Sequence, residues 1–414
     1  MRIAVVGAGI AGLASSWLLA REHEVTLFEA NDYLGGHTHT HAIEIGGKKL
    51  AVDTGFIVFN PQHYPLLQKM FDELIVASQP TTMSFSVRNE RSGLEYNATD
   101  LRGLFCQRRN LVSPRFWRLL RDIVRFYREA PELLADAGAG PTLGEYLSAR
   151  GYSDAFRDDH LIPMASALWS APNARVPEFP ARHLVQFMAN HQMLQTRDRP
   201  QWRVVRGGSH TYVRALRERW RVRERVDCAV RRVVREANGV RIDHAQGSET
   251  FDQAVLACHG DQALALIENP RPAERDVLGA MEYHDNETVL HTDATLMPRR
   301  RRAWAAWNAL IRADAHDRCT VSYCMNLLQS LDSAEPILVS LNCTDRIAPE
   351  KILRRIAYRH PSYTNASVAA QRRKAQIQGI DRLWFAGAYW GWGFHEDGMR
   401  SAVDVAGAFG VRWP

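Results

Sequence analysis

The first 28 residues alternate between short apolar runs and a longer stretch of mixed polarity. Residues 2–6 (RIAVV) and 25–28 (VTLF) are apolar and rich in β-branched side chains, as buried parallel strands require. Residues 10–21 separate the two runs and predict a helix. Strand, helix and strand in this order predict an α/β fold whose parallel sheet begins at the N-terminus.

Two distant segments have patterns that extend this sheet. Residues 251–260 (FDQAVLACHG) predict a further strand. Leu383–Phe385 predict another strand, which is followed by a loop and by a helix that opens at Asp397-Gly398. The two ends of the chain are therefore expected to meet in one domain.

The middle of the chain predicts different structure. Residues 222–242 indicate strands that turn at Asn238-Gly239. The stretch 76–199 predicts mainly helices, whereas 282–296 and 336–344 alternate apolar and polar positions as sheet strands do.

The loop between the first strand and the first helix reads GAGIAG, and an acid, Glu29, ends the second strand. Gly7 permits a tight turn, Gly9 lets the backbone approach a pyrophosphate, and Gly12 lets the helix pack closely on the strand. The helix N-terminus offers free N–H groups to phosphates, and Glu29 can accept hydrogen bonds from ribose hydroxyls. The pattern predicts a dinucleotide site, with a glycine-rich turn that binds no ligand as the alternative. The predicted contacts are Gly7, Ala8, Gly9, Ile10, Ala11, Gly12 and Glu29.

Composition and charge narrow the function classes. The 414 residues suffice for about two domains, and 46% hydrophobic residues are enough for a sizeable core. The net charge is +6, and only five of the 52 basic residues are lysines. A basic surface can meet phosphate groups on lipid or cofactor, and without a nucleic-acid motif we expect no nucleic-acid partner. A genome that favours arginine codons explains the bias equally well.

Cysteine usage and apolar runs bear on the compartment. The six cysteines form no C-x-x-C pair, which favours free thiols in a reducing compartment. Glycines interrupt the apolar N-terminal run at spacings that a signal peptide does not need. No window offers about 18 uncharged apolar residues for a transmembrane helix. We therefore expect a cytoplasmic protein.

Two features favour FAD over NAD as the dinucleotide. Gly35-Gly36 falls six residues after Glu29, and the C-terminus reads RLWFAGAYWGWGFHEDGMRSAVDVA. Both resemble motifs of the FAD-binding amine oxidase and phytoene desaturase superfamily. The resemblance implies a discontinuous Rossmann-type FAD domain with an α+β substrate domain, as in flavin amine oxidases. The FAD domain would comprise 1–75, 200–275 and 375–414, and the substrate domain 76–199 and 276–374.

The same resemblance implies further FAD contacts, including the closing helix whose N-terminus would face the flavin's pyrimidine carbonyl. Two positions depart from the superfamily pattern: His37 stands where arginine is usual, and Ala388 where an acid is usual. No cysteine follows Cys343, so noncovalent attachment is expected. The implied contacts are Gly35, Gly36, His37, Val230, Gly387, Ala388, Asp397, Gly398 and Met399.

Longer words of the sequence resemble one branch of the superfamily, the predicted FAD-binding proteins found beside or fused to cyclopropane-fatty-acyl-phospholipid synthase. The resemblance implies a long acyl chain as substrate and a lipid methyltransferase as a partner. The words are DTGFIVFN (53–60), LIPMASALWS (161–170), LHTDATLMPRR (290–300), AAWN (305–308), YCMNLLQ (323–329) and GFHEDG (393–398).

Few polar residues are candidates for chemistry at the flavin. The sequence has no lysine between Lys69 and Lys351, so the lysine–water arrangement of many amine oxidases is expected to be missing. His395 and Glu396 could move protons during C–H removal. The alternative is that His395, Glu396 and Asp397 cap the closing helix. Trp390, Trp392 and Phe394 would wall an apolar pocket or belong to the core.

Three histidines alternate in a predicted strand: His37, His39 and His41 share one face. Such a face could hold a metal, but the sequence offers no further ligand, so we favour a wall beside the flavin and expect no metal site. Asp53 is expected to bond nearby backbone.

Residues 114–129 (PRFWRLLRDIVRFYRE) form the best amphipathic helix, with arginines on one half and apolar side chains on the other. This pattern predicts a peripheral contact with the inner face of a membrane, and the alternative is a substrate-domain helix with a solvated basic face.

These expectations together predict an FAD-dependent oxidoreductase that acts on C–H or C–C bonds of an acyl chain or lipid, with hydride passing to flavin N5. The alternatives are an amine oxidase, a redox-neutral flavin isomerase, and a non-catalytic partner of a lipid methyltransferase.

Overall fold

The computed structural model describes residues 1–135, 138, 140–314 and 317–413. Its strands are β1 (Arg2–Val6), β2 (Glu24–Phe28), β3 (Thr40–Ile45), β4 (Lys48–Asp53), β5 (Ser78–Pro80), β6 (Phe85–Asn89), β7 (Glu95–Asn97), β8 (Arg203–Val205), β9 (Val222–Arg225), β10 (Val230–Glu236), β11 (Gly239–His244), β12 (Gly247–Phe251), β13 (Gln253–Leu256), β14 (Tyr283–His291), β15 (Trp307–Ile311), β16 (Val321–Cys324), β17 (Leu338–Leu341), β18 (Ile352–Pro361) and β19 (Leu383–Phe385).

The α-helices follow the same order of the chain. They are α1 (Ile10–Leu19), α2 (Pro65–Leu74), α3 (Leu101–Leu104), α4 (Pro114–Glu129), α5 (Leu143–Ala149), α6 (Asp154–Phe156), α7 (Ile162–Trp169), α8 (Ala181–Asn190), α9 (His210–Arg217), α10 (Gly260–Leu266), α11 (Pro272–Gly279), α12 (Met325–Leu328), α13 (Asn365–Gln371) and α14 (His395–Ala408).

A parallel sheet of five strands carries the two ends of the chain. Its order is β19-β13-β1-β2-β9, so the first strand lies in the centre. Val5 of β1 pairs with Val255 on one side and Leu27 on the other, and all three side chains are fully buried. Strands buried on both faces are apolar throughout, which is why the sequence indicated them. The predicted α/β fold is confirmed.

A second sheet of seven strands has the order β18-β14-β17-β16-β15-β6-β7. The alternating patterns at 282–296 and 336–344 become β14 and β17, as predicted. The strands β6 and β7 were not predicted; they lie in the stretch 76–199, which was expected to be mainly helical, and they join this sheet. The long antiparallel pair β14–β18 forms one end of the sheet.

A smaller antiparallel sheet, β10-β11-β12, contains the predicted hairpin. Glu236 pairs with Gly239, so Ala237-Asn238 form the turn and Gly239 already belongs to the second strand. The turn therefore lies one residue earlier than Asn238-Gly239. Val230 opens the hairpin and is half-buried.

The amphipathic stretch 114–129 forms α4 with the predicted bounds. Phe126 is buried among the helices of this region, whereas Phe116 and Leu119 are buried with residues of β6, β7 and β15, so much of the apolar half of α4 is core. No helix in the described part of the chain is both long and apolar enough to span a bilayer.

Candidate active site

The glycine loop lies between β1 and α1 at the carboxyl edge of the parallel sheet. Gly7 has φ +99°, a conformation that favours glycine. A Cβ on Gly12 would lie 1.8 Å from the Gly7 carbonyl oxygen, so the helix can approach the loop only without a side chain there. A Cβ on Gly9 would meet no described atom within 4 Å. The loop is therefore tightly packed on one side and open at Gly9.

No side chain of the described residues caps the N-terminus of α1. Its first N–H groups and the positive end of the helix dipole are therefore available to an anion. This is the arrangement that a diphosphate requires at the start of a dinucleotide-binding helix.

Glu29 follows β2 and is buried beside the loop. Its Oε2 accepts a hydrogen bond from the Ala8 N–H at 2.8 Å, and its Oε1 accepts from the backbone and side chain of Asn31 at 2.9 and 2.7 Å. The carboxylate thus fixes the glycine loop, and Oε2 keeps a lone pair for a further donor. The Cys228 N–H donates to the Glu29 carbonyl at 2.8 Å. Val230 comes two residues after Cys228 and therefore lies near Glu29.

The Gly35-Gly36 turn lies directly on the glycine loop. The Gly35 N–H donates to the Ala8 carbonyl at 2.9 Å, and a Cβ on Gly36 would lie 3.0 Å from the Gly9 Cα. Both glycines have positive φ, at +132° and +58°. Only glycine allows so close an approach of two backbones, which places the next residue, His37, at the mouth of the loop.

The closing helix α14 packs along α1 with both N-termini at the same end. A Cβ on Gly398 would lie 2.6 Å from the Ile10 side chain, so glycine lets the two first turns meet. The Gly387 N–H donates to the Ser401 hydroxyl at 2.9 Å and ties the preceding loop, which includes Ala388, to the helix. Met399 is fully buried in the first turn. The helix begins at His395, two residues before the predicted start.

Asp397 is buried and serves the loop before its own helix. Its Oδ2 accepts hydrogen bonds from the N–H groups of Trp392 and Phe394, each at 3.0 Å. Burial raises the pKa of this carboxyl to about 6. This geometry fits the capping alternative for Asp397.

Glu396 points away from its own helix and contacts the start of α2. Its two carboxylate oxygens accept from the N–H groups of Leu66 and Leu67 at 3.1 and 3.0 Å. Burial raises its pKa to about 7. The carboxylate therefore caps α2 across a sequence distance that no local pattern would reveal.

His395 is enclosed at the first position of α14. Its Nε2 lies 3.0 Å from the Thr38 hydroxyl, and that hydroxyl lies 2.6 Å from the Tyr212 hydroxyl. The imidazole stacks on Phe56 with ring centroids 3.6 Å apart. Burial lowers the pKa of His395 to about 3, so the ring is neutral at physiological pH. It is a positioned hydrogen-bonding group rather than a charged one.

A cluster of histidines and tyrosines fills the space between the glycine loop and the β14–β18 end of the second sheet. His37 stacks on Tyr358 at 4.8 Å and lies 5.2 Å from the His360 ring. His259, which follows β13, stacks on Tyr283 at 4.2 Å. Burial lowers the pKa of His37 to about 4 and of His259 to about 3. The sequence analysis did not find this cluster, because its members are separated by up to 323 positions.

The three alternating histidines do not all lie in a strand, as the sequence had predicted. The strand β3 begins at Thr40, and His37 lies in the turn that the glycine pair creates. His39 and His41 still lie close, with ring centroids 4.0 Å apart. No group of side chains that could hold a metal occurs within the described residues. Asp53 accepts from the Ser209 backbone N–H at 2.9 Å, as expected of a carboxylate that bonds backbone.

Several buried polar atoms around this region have no hydrogen-bond partner among the described residues. Buried polar groups are normally paired, so these atoms are free to bond a ligand, although unpaired atoms such as Ser15 Oγ and His160 Nε2 also occur elsewhere in the described residues. The set fits a flavin dinucleotide, which offers phosphate, carbonyl and ring-nitrogen acceptors. Its members are His37 Nε2, His259 Nδ1, Tyr363 Oη, Tyr389 Oη and Trp392 Nε1.

An aromatic wall lies beside the loop before α14. Phe394 stacks on Phe187 of α8 at 5.0 Å, and the Trp169 Nε1–H donates to the Trp392 carbonyl at 2.9 Å. His183 stacks on Tyr363 at 4.8 Å. Trp392 and Phe394 are half-buried, so they belong partly to the core and partly to an accessible wall. We call this group the aromatic wall.

Residues 10–289 match the family described as flavin containing amine oxidoreductase. The match covers more than half of the chain, and the protein belongs to this family. The predicted superfamily is thereby confirmed, while the link to cyclopropane-fatty-acyl-phospholipid synthase stays a prediction.

Individual relatives match either a small part of the chain or the whole chain at low sequence identity. A 1-hydroxycarotenoid 3,4-desaturase of Flavobacterium sp. (strain P99-3) is 33% identical over 93 residues, which cover 22% of this chain and 17% of the desaturase. A CLA-producing fatty acid isomerase from P. acnes has a similar structure, with 16% identity, a TM-score of 0.68 and coverage of 99% and 98% of the two chains. Cyclohexylamine oxidase from Brevibacterium oxydans IH-35A gives 16% identity, a TM-score of 0.66 and 98% coverage of both chains. At these identities the two structures show a shared fold only.

Proposed function

We propose that this protein is an oxidoreductase with noncovalently bound FAD that acts on C–H bonds of a long acyl chain or a similar apolar lipid. The observation that carries the proposal is the meeting of two helix N-termini, of α1 and α14, beside the open face of Gly9. FAD has an anionic diphosphate and a pyrimidine carbonyl where negative charge gathers on reduction, and the positive end of a helix dipole stabilises each of them.

Different residues of the chain would bind different parts of FAD. The N–H groups at the start of α1 would hold the diphosphate, Glu29 Oε2 the ribose, and the first turn of α14 the pyrimidine side of the flavin. The unpaired groups of His37 and His259 lie between these points. Bound FAD would supply the chemistry by accepting a hydride, and the chain would supply position and exclusion of water.

The charge state of the surroundings favours an apolar substrate over an amine. Burial keeps His37, His259 and His395 neutral, and Asp397 is occupied by two backbone N–H groups. Trp392 and Phe394 of the aromatic wall pack against an apolar cluster that includes Trp169 and Phe187. With no lysine between positions 69 and 351, the chain also lacks the group that many amine oxidases place at the flavin.

Two relatives have names that fit a lipid substrate class, whereas the cyclohexylamine oxidase fits the amine oxidase alternative. One is named a carotenoid desaturase and another a fatty acid isomerase, and both names denote long apolar chains. The isomerase makes redox-neutral double-bond migration a second candidate for this protein. In that reaction the hydride would leave and return to the same substrate, so no external acceptor would be consumed.

Anaerobic titration of the FAD-loaded protein tests the proposal. We expect unsaturated fatty acids or carotenoids to bleach the oxidised flavin, and putrescine or cyclohexylamine to leave it unchanged. A product of unchanged mass, formed with no lasting bleaching of the oxidised flavin, would select the isomerase. Bleaching by amines alone would contradict the lipid substrate, and a colourless protein that refuses added FAD would contradict the proposal altogether.

A further inference from the structure

Exposed large apolar side chains are concentrated in one short part of the chain. Five of the eight recorded among the described residues lie between positions 101 and 124. Isolated apolar residues on a surface need no explanation, but a contiguous group marks an interaction site. The group comprises Leu101 (72% exposed), Leu111 (51%), Val112 (81%), Trp117 (50%) and Val124 (61%).

These side chains belong to one physical surface. The Trp117 Nε1–H donates to the Leu111 carbonyl at 2.8 Å, which fixes the indole against the short 3-10 segment Arg108–Val112. The Trp117 ring also lies 5.6 Å from Phe105, which follows α3. Val124 comes seven residues after Trp117 and therefore lies on the same face of α4. This face is distinct from the one that Phe116 and Phe126 bury in the core.

Arginine dominates the charge around this surface, and the exposed Asp100 at its edge caps the start of α3. Residues 101–121 contain six arginines and no acidic residue, and 299–302 are four further arginines. Arg102, Arg108 and Arg118 are exposed and form no ion pair with any described residue. The two basic segments adjoin, because Arg102 and Arg302 line one cleft of about 460 Å³.

We propose that this surface docks the protein on an anionic phospholipid bilayer. Leu111, Val112 and Trp117 would enter the headgroup region, and the surrounding arginines would contact the phosphates. A protein partner would need acidic residues to pair with the arginines and an apolar surface to bury Leu111, Val112 and Trp117. A bilayer of anionic lipid offers phosphates to the arginines and an apolar interior to these side chains. The inference is independent of the redox proposal, since it concerns binding and not catalysis.

Vesicle flotation of the full-length, FAD-supplemented protein tests the docking. We expect binding to vesicles of phosphatidylcholine with phosphatidylglycerol, much weaker binding to phosphatidylcholine alone, and release at high salt. Equal binding to both vesicle types, or no binding to the anionic vesicles, would overturn the inference.

Two double variants separate the apolar and the electrostatic contributions. Leu111→Ser with Val112→Ser should reduce vesicle binding at all salt concentrations. Arg108→Gln with Arg118→Gln should weaken it by about tenfold or more and flatten its salt dependence, because each arginine near an anionic surface contributes about fivefold.

Matched controls lie elsewhere on the surface. Ile75 is 81% exposed and has a positive φ that asparagine tolerates, and Arg231 is exposed on β10. Ile75→Asn and Arg231→Gln should bind vesicles as the unmodified protein does. Equal losses in the controls would contradict a local docking surface. A fall in oligomer size in the apolar double variant, with vesicle binding unchanged, would assign the surface to a second copy of the chain instead.

Discussion

At the scale of single residues, the candidate site depends on the absence of a side chain at Gly9 and Gly12. The Gly12 position is closed by the Gly7 carbonyl, whereas the Gly9 position is open. The first therefore serves the fold and the second serves a ligand that approaches the backbone. Among the polar side chains of the site, His395 lies between Thr38 and Phe56, and burial lowers its pKa so that the ring is neutral.

The two glycines give a matched pair of variants. Gly12→Ala should lower both stability and FAD affinity, because its methyl group would lie 1.8 Å from the Gly7 oxygen and must displace α1. Gly9→Ala should leave the melting temperature of the apoprotein nearly unchanged and weaken FAD binding by about tenfold or more, since the methyl group would occupy the space of the diphosphate. Calorimetry and flavin fluorescence titration measure both. Equal FAD affinity in Gly9→Ala and the unmodified protein would contradict a diphosphate at this loop.

At the scale of elements, the first turn of α14 organises its neighbours. Asp397 holds the preceding loop through Trp392 and Phe394, and Glu396 caps α2 through Leu66 and Leu67. Capping from a distant helix satisfies donors that would otherwise be orphaned inside the protein. The same turn thus fixes the loop that carries the aromatic wall.

Glu396 can be assigned by its effect on stability. Glu396→Ala should lower the free energy of unfolding by about 1–2 kcal/mol at neutral pH, the usual range for a lost helix cap. Urea unfolding checks this, with the exposed Glu335→Ala as the control that should change stability little. An unchanged stability together with slower flavin reduction by the substrate would instead support the acid–base role considered for Glu396.

At the scale of the whole molecule, seven histidines at several places in the fold are neutral at physiological pH. Burial lowers the pKa values of all of them to about 3 or 4. Three buried carboxyls shift the other way, with pKa values of about 6 or 7. The histidines are His37, His160, His183, His191, His259, His291 and His395, and the carboxyls are Asp53, Glu396 and Asp397.

The pH dependence of stability follows from these shifts. Below pH 6.5 the unfolded chain binds protons on these histidines that the folded protein does not, so stability is lost as the pH falls from 6.5 towards 4. The carboxyls oppose this trend, because their contribution is greatest in acid and is lost as the pH rises from about 4 to 7. The histidines outnumber them, so the melting temperature should fall on acidification below pH 6.5.

One histidine isolates the effect. His183→Phe keeps a ring to stack on Tyr363 and removes a group whose pKa burial lowers to about 4. Its melting temperature should fall less steeply between pH 6.5 and 5 than that of the unmodified protein. The free energy of unfolding that the variant retains at pH 5 should be larger by up to about 2 kcal/mol. The same slope in both proteins would mean that His183 is already protonated in the fold.

The sequence by itself determined the parallel sheet, the glycine loop and the family. These features depend on neighbours in the chain: β-branched runs form buried strands, and GAGIAG needs only β1 before it and α1 after it. The hairpin and the extent of α4 are local for the same reason. Even the departures were local, since His37 left the predicted strand only because Gly35-Gly36 turn the chain.

Only the tertiary structure decided which side chains meet. Glu396 reaches α2 across 329 positions, and His37 meets His360 across 323, so no spacing rule could connect them. The exposed face of α4 was also undecided in the sequence, because an amphipathic pattern states that a helix has two faces but not which apolar residues the core will take. In the structure, Phe116 and Phe126 are buried in the core, whereas Trp117 and Val124 are exposed. Packing between distant elements selects such partners, and packing is a property of the whole fold.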